Sequence, residues 1–347
     1  MEQVELYEQL LEQKKKVDFN MYDFSIKELI SLVAVDKVLN IAPDYQRQFR
    51  WDDERQSSLV ESIFLGLPIP ALFMASNGNE GNWELIDGVQ RISTIMHFAA
   101  AADQQRIIGQ SLPLTLTGLK KLQAFNGLTF DDLPIQVQLA FKMATIKVIS
   151  LSDKSDKSVR FDLFERLNRG GITLTDQEIR SCVYRGEFNE FLKQLAQNAD
   201  FLACIKLTKL QQADGTKEEM VLRYFAYLND SDNFQHSVVH FLNDYMEKAN
   251  KRFSYEKEEK LFNIVFSNLR EAFPKGIVKH GVTPQNLYEA ITVGAARAYR
   301  NKGRINLTDA VSLLSDRDLA KYTTGATNSK PKVNARIRYC QERFEKE

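Results

Sequence analysis

In the first half of the chain the apolar positions switch repeatedly between a helical and a strand period. Val4, Tyr7, Leu10 and Leu11 mark one face of a first helix, which either packs on the body or serves as a partner-binding arm. Phe24 to Ile30 predicts a second helix with Ser25 as its cap, followed by an extended piece around Val38 to Ile41 that Pro43 ends. Asp52 to Arg55 opens a helix with Leu59, Ile63 and Phe64 inward, which Leu67-Pro68-Ile69-Pro70 breaks. Ala71 to Ala75 is a compact apolar run suited to a buried strand, and Asn77 to Gly81 turns the chain back into a second strand at Trp83, Leu85 and Ile86. The spacing of Ile92, Ile95, Met96 and Ala99 then predicts a helix over 88–102. Leu112 to Leu116 and Thr145 to Leu151 have strand composition, with a helix over Leu133 to Met143 between them.

Ser152 to Lys157 reads as a loop, and the helix of Phe161, Phe164 and Leu167 stops at Asn168-Arg169-Gly170-Gly171. Thr175-Asp176-Gln177-Glu178 is a capping box for the next helix. Beyond it the strand signal fades, and helical periods such as Phe188, Phe191, Leu192 and Leu195 continue to the end. The fold class expected is α+β: a helical arm over 1–22, a small mixed-sheet domain over 23–170 and an all-helical domain over 171–347.

Composition adds bounds rather than a function. The 347 residues carry 46 Lys plus Arg against 46 Asp plus Glu, so any nucleic-acid or membrane attraction has to come from a local patch. Cys182, Cys204 and Cys340 are an odd set without CxxC spacing, which fits a reducing cytoplasm better than a disulfide framework or a thiolate zinc site. The N-terminus has no apolar signal region and no stretch has membrane-span length, so a cytoplasmic protein without membrane contact is expected.

The chemistry concentrates where the strand of Trp83 to Ile86 meets the helix that follows. Asp87-Gly88 forms the hinge, and a strand that turns through glycine into a helix presents unpaired N–H groups suited to phosphate. A plain structural account uses the same residues, with Asp87 as N-cap and Gln90 completing a capping box. Upstream, Tyr45-Gln46-Arg47-Gln48-Phe49-Arg50-Trp51 interleaves arginine with aromatics, which suits a phosphate clamp with base stacking or, equally, core aromatics with arginines paired to Asp52 or Glu54. Near the end, Arg297, Arg300, Lys302 and Arg304, then Lys321, Lys330, Lys332, Arg336 and Arg338, lie in two stretches free of acidic residues, and they read as a DNA-binding patch or as solvated helix faces. His236, His240 and Asp244 have i, i+4, i+8 spacing for a metal on one helix face, although the metalloprotease glutamate is absent.

Four motifs in order carry a resemblance: Pro43-Asp44-Tyr45-Gln46-Arg47 with Trp51, Leu67-Pro68-Ile69-Pro70, Ile86-Asp87-Gly88-Val89-Gln90-Arg91, and Phe164-Glu165-Arg166-Leu167-Asn168-Arg169-Gly170-Gly171 with Leu174. The stretch from about 25 to about 230 resembles the N-terminal domain of GmrSD-type modification-dependent restriction and phage-defence proteins. The resemblance implies a ParB/sulfiredoxin-like fold that binds and often hydrolyses nucleoside triphosphates while sensing modified DNA. The family's Asp-Gly-Gln-Gln-Arg hallmark falls on Asp87, Gly88, Gln90 and Arg91, with Val89 replacing the first glutamine. No His-Asn-His nuclease signature is evident among the four histidines, so the resemblance implies a separate nuclease subunit as partner; a homo-oligomer is also open.

The function expected is therefore that of an NTP-hydrolysing sensor dependent on Mg²⁺. Asp87, Gln90 and Arg91 would be catalytic, Asp87 would hold the metal, and Gly88, Arg47, Tyr45, Gln46, Arg50 and Asn168 would bind nucleotide. Two alternatives stand beside it. One is a non-enzymatic DNA- or partner-binding regulator using Arg297, Arg300, Arg304, Lys332, Arg336 and Arg338; the other is a ParB-like DNA nickase using the Asp87 site.

Overall fold

A computed structural model describes residues 6–8, 10–11, 14, 18–41, 51–76, 82–152, 161–163, 165–166, 175–325 and 327–346. The chain divides into two compact units, Met1–Thr173 and Leu174–Glu347.

The first unit is a five-stranded mixed sheet with helices. In order, its main elements are β1 (Phe19–Ser25), α1 (Ile26–Ala34), β2 (Leu39–Asn40), α2 (Asp53–Phe64), β3 (Leu72–Ser76), β4 (Trp83–Asp87), α3 (Val89–Ala99), α4 (Ile135–Met143) and β5 (Thr145–Leu151), with a one-turn helix at Ala102–Gln105 after α3. The strands lie in the order β1-β5-β3-β4-β2, antiparallel at β1/β5 and β3/β4 and parallel at β5/β3 and β4/β2. Ser25 caps α1 in a full capping box, its hydroxyl accepting from Glu28 N while Glu28 Oε2 accepts from Ser25 N. Ile26, Leu29, Leu72, Met74, Leu85, Ile92, Ile95, Met96, Ile146 and Val148 form one buried cluster. Phe98 sits edge-on to Phe64, Phe130 and Phe141 within it. Apolar side chains recurring at period two on the strands and 3.6 on the helices meet there, which is why the alternating sequence yields one core.

Three expectations for this unit need correction. β1 is a strand: Asn20 and Asp23 are poor strand formers, yet the segment pairs with β5 residue for residue, from Phe19 opposite Leu151 to Ser25 opposite Thr145. Leu112 to Leu116 is not a strand. Pro113 has no N–H to give a ladder; Leu114 N reaches His97 O at 3.4 Å, and Leu116 exchanges bonds with Leu128 and Gly127 instead. The helix expected to 102 ends at Ala99, where Ala100 turns extended. In the N-terminal arm, Leu6, Tyr7, Leu10 and Leu11 are exposed.

The second unit is helical, as its period predicts: α5 (Asp176–Val183), α6 (Glu187–Leu195), α7 (Ala199–Cys204), α8 (Thr216–Asp230), α9 (Val238–Lys251), α10 (Tyr255–Ala272), α11 (Gln285–Lys302), α12 (Arg317–Thr323) and α13 (Lys330–Glu345). The Thr175 and Glu178 capping box forms. Phe188 and Phe191 on α6, Phe225 on α8, Phe262 on α10 and Phe253 just before α10 pack ring against ring, edge-on or tilted except for the stacked Phe225–Phe262 pair. Gly294 lets α11 and α13 touch, since a Cβ there would lie 2.6 Å from Cys340 Cβ and 2.9 Å from Gln341 N. Buried charges are paired through this core: Arg180 with Glu219 (3.1 Å), Glu219 with Arg223 (2.8 Å), Arg223 with Glu289 (2.7 Å) and Glu289 with Arg336. Burial alone would raise the Glu219 carboxyl, but Arg223 and Arg180 hold it down to about 2.

Candidate functional site

The turn from β4 into α3 is built by three constraints. β3 and β4 shift register between Phe73 and Met74, a bulge that sets Asp87 opposite Phe73 at the strand end. Gly88 then takes φ +108°, and a Cβ on it would stand 2.3 Å from Leu72 Cδ2, so the turn depends on glycine twice over, for its backbone angle and for the approach of β3. Ile92 N donates to Gly88 O at 2.9 Å, which makes Gly88 the N-cap of α3 and leaves the N–H groups ahead of Ile92 outside the helix's own ladder.

Asp87 does not cap this helix. Gly88 holds that position without a side-chain bond, and the Asp87 carboxylate turns to Arg91 one helical turn on, where Oδ2 accepts from Nη2. The capping box expected from Asp87 and Gln90 is thus replaced by an ion pair, because a guanidinium is a stronger donor for a carboxylate than a backbone amide. Arg91 points inward, its side chain 11% exposed against 45% for Asp87. Its Nη1 donates to Pro70 O at 2.6 Å and to Ala71 O at 3.3 Å. Pro68 and Pro70 fix that approach segment in an extended course and give it carbonyls without matching donors. Gln90 reaches back instead: its Oε1 accepts from Trp51 N at 3.2 Å, and Thr94 Oγ1 donates to its carbonyl at 2.7 Å.

Behind the turn, the Trp51 carbonyl accepts from Gln56 Nε2 at 2.9 Å, and Gln56 Oε1 lies 2.8 Å from Nδ1 of buried His97, whose Nε2 lies 2.9 Å from Leu112 O. Burial pushes the His97 imidazole below the usual histidine range, against the opposing pull of the Leu112 carbonyl and Asp53. Arg55 lies over the Trp51 ring at 4.8 Å. The arrangement combines a helix N-terminus with a half-exposed carboxylate held from behind by a buried arginine. It can receive anionic oxygens at the amides and a cation or a water at the carboxylate.

All of these elements lie inside residues 26–185, which match the family described as GmrSD restriction endonuclease, N-terminal domain. These residues form a GmrSD N-terminal domain. No curated protein and no solved structure matches the chain.

Within the GmrSD N-terminal domain the structure brings together Asp87, Gly88, Gln90 and Arg91. Tyr45, Gln46, Arg47, Arg50 and Asn168 lie outside the described residues. Pro70, Ala71, Gln56 and His97 escaped the sequence reading as site residues; the Pro-x-Pro spacing of 68 and 70 is the one signal that pointed to a rigid carbonyl-presenting segment.

The basic residues proposed for DNA separate into two groups in the helical unit. Arg336 is 1% exposed and bonded to Glu289 and the Thr327 carbonyl, so it braces the core and is not on a surface that DNA can reach. Arg297 donates to Tyr227 O and Ser231 Oγ, and Arg300 chelates both Glu258 oxygens at 2.7 and 2.8 Å. Arg304 and Arg338 are exposed and Lys332 is half-buried. His236 precedes α9, which starts at Val238 after its Ser237 cap, so His236, His240 and Asp244 do not share a helix face; no group of three metal-ligating side chains occurs among the described residues. No helix among the described residues is long and apolar enough to cross a membrane.

Proposed function

We propose that the GmrSD N-terminal domain is the nucleotide-binding part of a restriction or phage-defence system, and that it hydrolyses a nucleoside triphosphate at the Asp87–Arg91 turn. The observation that carries this reading is the half-exposed Asp87 carboxylate, fixed by buried Arg91 at the N-terminus of α3. In this reading phosphate oxygens accept from the N–H groups of Gly88 and Val89, where the helix dipole favours negative charge. Arg91 is a positioning residue: three of its five N–H donors go to Pro70, Ala71 and Asp87, and in this reading it acts on substrate through the carboxylate. In this reading Gln90, steadied by the Trp51 N–H, orients water toward the terminal phosphorus; attack forms one P–O bond and breaks the bridging one, releasing inorganic phosphate and the nucleoside diphosphate.

The donor set fits Mg²⁺ only as an ion brought by the triphosphate. Asp87 supplies a single carboxylate, and magnesium commonly needs no more than one or two besides phosphates and waters. Asp87 would hold that ion, which supplies charge neutralisation between carboxylate and phosphates.

The test is a panel of NTPs and dNTPs with Mg²⁺, followed by binding and phosphate release, with and without modified DNA. Phosphate release that Asp87→Asn abolishes in a folded protein is the result expected. Absence of nucleotide binding across the panel would overturn the reading, and nicking of DNA without phosphate release would move the same carboxylate to phosphodiester chemistry. DNA and a separate nuclease subunit are the partners this reading implies.

A further inference from the structure

β1 is the outer strand of the sheet, with no strand beyond it among the described residues. The direction of its backbone groups follows from the register. Ser152 N donates to Asp18 O at 3.1 Å and Ile26 N to Ala144 O at 2.9 Å, so residues 18 and 26 turn their polar groups toward β5 and its flanks. In an antiparallel ladder every second residue does the same, which assigns Asn20, Tyr22 and Phe24 to β5. Phe19, Met21 and Asp23 therefore turn N–H and C=O outward.

Beside Asn20 and Asp23, this edge exposes three large side chains: Met21 is 65% exposed, Phe19 46% and Tyr22 37%. Protein edges are ordinarily blunted by shortness, proline, lysine or a bulge. β1 runs seven residues with neither Pro nor Lys, and its pairing to β5 has no register shift.

We propose that two copies of this chain associate through β1, paired antiparallel about a two-fold axis at Met21. This register uses every outward group: Phe19 faces Asp23 of the second copy, Met21 faces its counterpart, and Asp23 faces Phe19, giving about six hydrogen bonds at two per pair. It covers Phe19 and Met21, which share one face of the sheet. It also keeps like charges apart, because Asp23 lies across from Phe19 and retains its own partner, Lys147 Nζ, at 3.1 Å. A register centred on Asp23 would set two carboxylates face to face. The sheet would then run unbroken through both copies, five strands from each.

Sedimentation velocity on the full chain, with single-cysteine scanning, tests this pairing and its register. Wild type should run at twice 39.9 kDa, and Met21→Lys should run as a monomer with an unchanged circular dichroism spectrum. On oxidation, Met21→Cys should form an intermolecular disulfide while Asp23→Cys should not, since the two positions 23 would lie about 13 Å apart. Wild type carries Cys182, Cys204 and Cys340 as the common background for both variants. A monomeric wild type at about 100 µM overturns the proposal, as does a dimer that persists in Met21→Lys through the exposed arm of Leu6, Tyr7, Leu10 and Leu11. Equal cross-linking at 21 and 23 overturns the register.

Discussion

Replacing Arg91 should cost both the fold and the site, whereas replacing Asp87 should cost only the site. In Arg91→Ala the carbonyls of Pro70 and Ala71 lose a charged donor at 2.6 and 3.3 Å, and the Asp87 carboxylate loses its partner. Hydrogen bonds to charged groups are worth about 1.5–3 kcal/mol each when buried. Pro70 is exposed and Asp87 is 45% exposed, so water recovers part of that, and the ion pair adds no more than about 1 kcal/mol. The sum is about 2–3 kcal/mol, or a fall in Tm of about 5–10 °C for a unit of this size. The only two tryptophans, Trp51 and Trp83, both lie in Met1–Thr173, so intrinsic fluorescence reports this unit selectively. Asp87→Asn keeps an acceptor for Arg91 and should lower Tm by less than about 3 °C, within about 1 kcal/mol. An Arg91→Ala protein whose fluorescence-detected Tm stays within about 2 °C of wild type would refute the bracing role.

Gly88→Ala should destabilise the same fluorescence transition, because φ +108° is strained for alanine and its Cβ would meet Leu72 at 2.3 Å; the angle alone costs about 1–3 kcal/mol, and an unshifted transition would contradict this. Glu219→Ala leaves Arg180 and Arg223 buried without their shared partner and should cost about 3–5 kcal/mol, read as a lower helical transition in far-ultraviolet circular dichroism with tryptophan fluorescence unmoved. His97 is neutral by preference in the fold, so the stability it contributes is complete above about pH 6.5 and is lost as pH falls toward its lowered folded-state value. Urea midpoints by fluorescence should therefore drop between pH 7.5 and 5.5, less steeply in His97→Gln; a wild-type midpoint that rises on acidification would contradict the sign.

Periodicity carried the main lines of this fold into the sequence. The run Thr145 to Leu151 is a strand over just those residues, and the helical spacing after Thr175 continues through the second unit as read. Local signals failed where a distant partner decided. Asp87-Gly88-Val89-Gln90 satisfies a capping box on paper, but Arg91, held by Pro70 and Ala71 from another segment, takes the carboxylate first. β1 was hidden because its pairing with β5 spans well over a hundred residues and outweighs the preferences of Asn20 and Asp23. Arg336 illustrates the same limit for charge: counted along the chain it joins a basic stretch, while in space Glu289 neutralises it inside the core. The nucleotide clamp read from Tyr45, Gln46, Arg47 and Arg50 falls outside the described residues, and among the described residues the Asp87 turn carries the site's chemistry.

Calorimetric titration of Mg²⁺-loaded nucleoside triphosphates into wild type and Asp87→Asn addresses the central claim most directly. Saturable binding of at least one triphosphate to wild type, weakened at least tenfold in a fully folded Asp87→Asn, is the result predicted. Equal affinity in the two proteins, or no heat with any triphosphate, would contradict it.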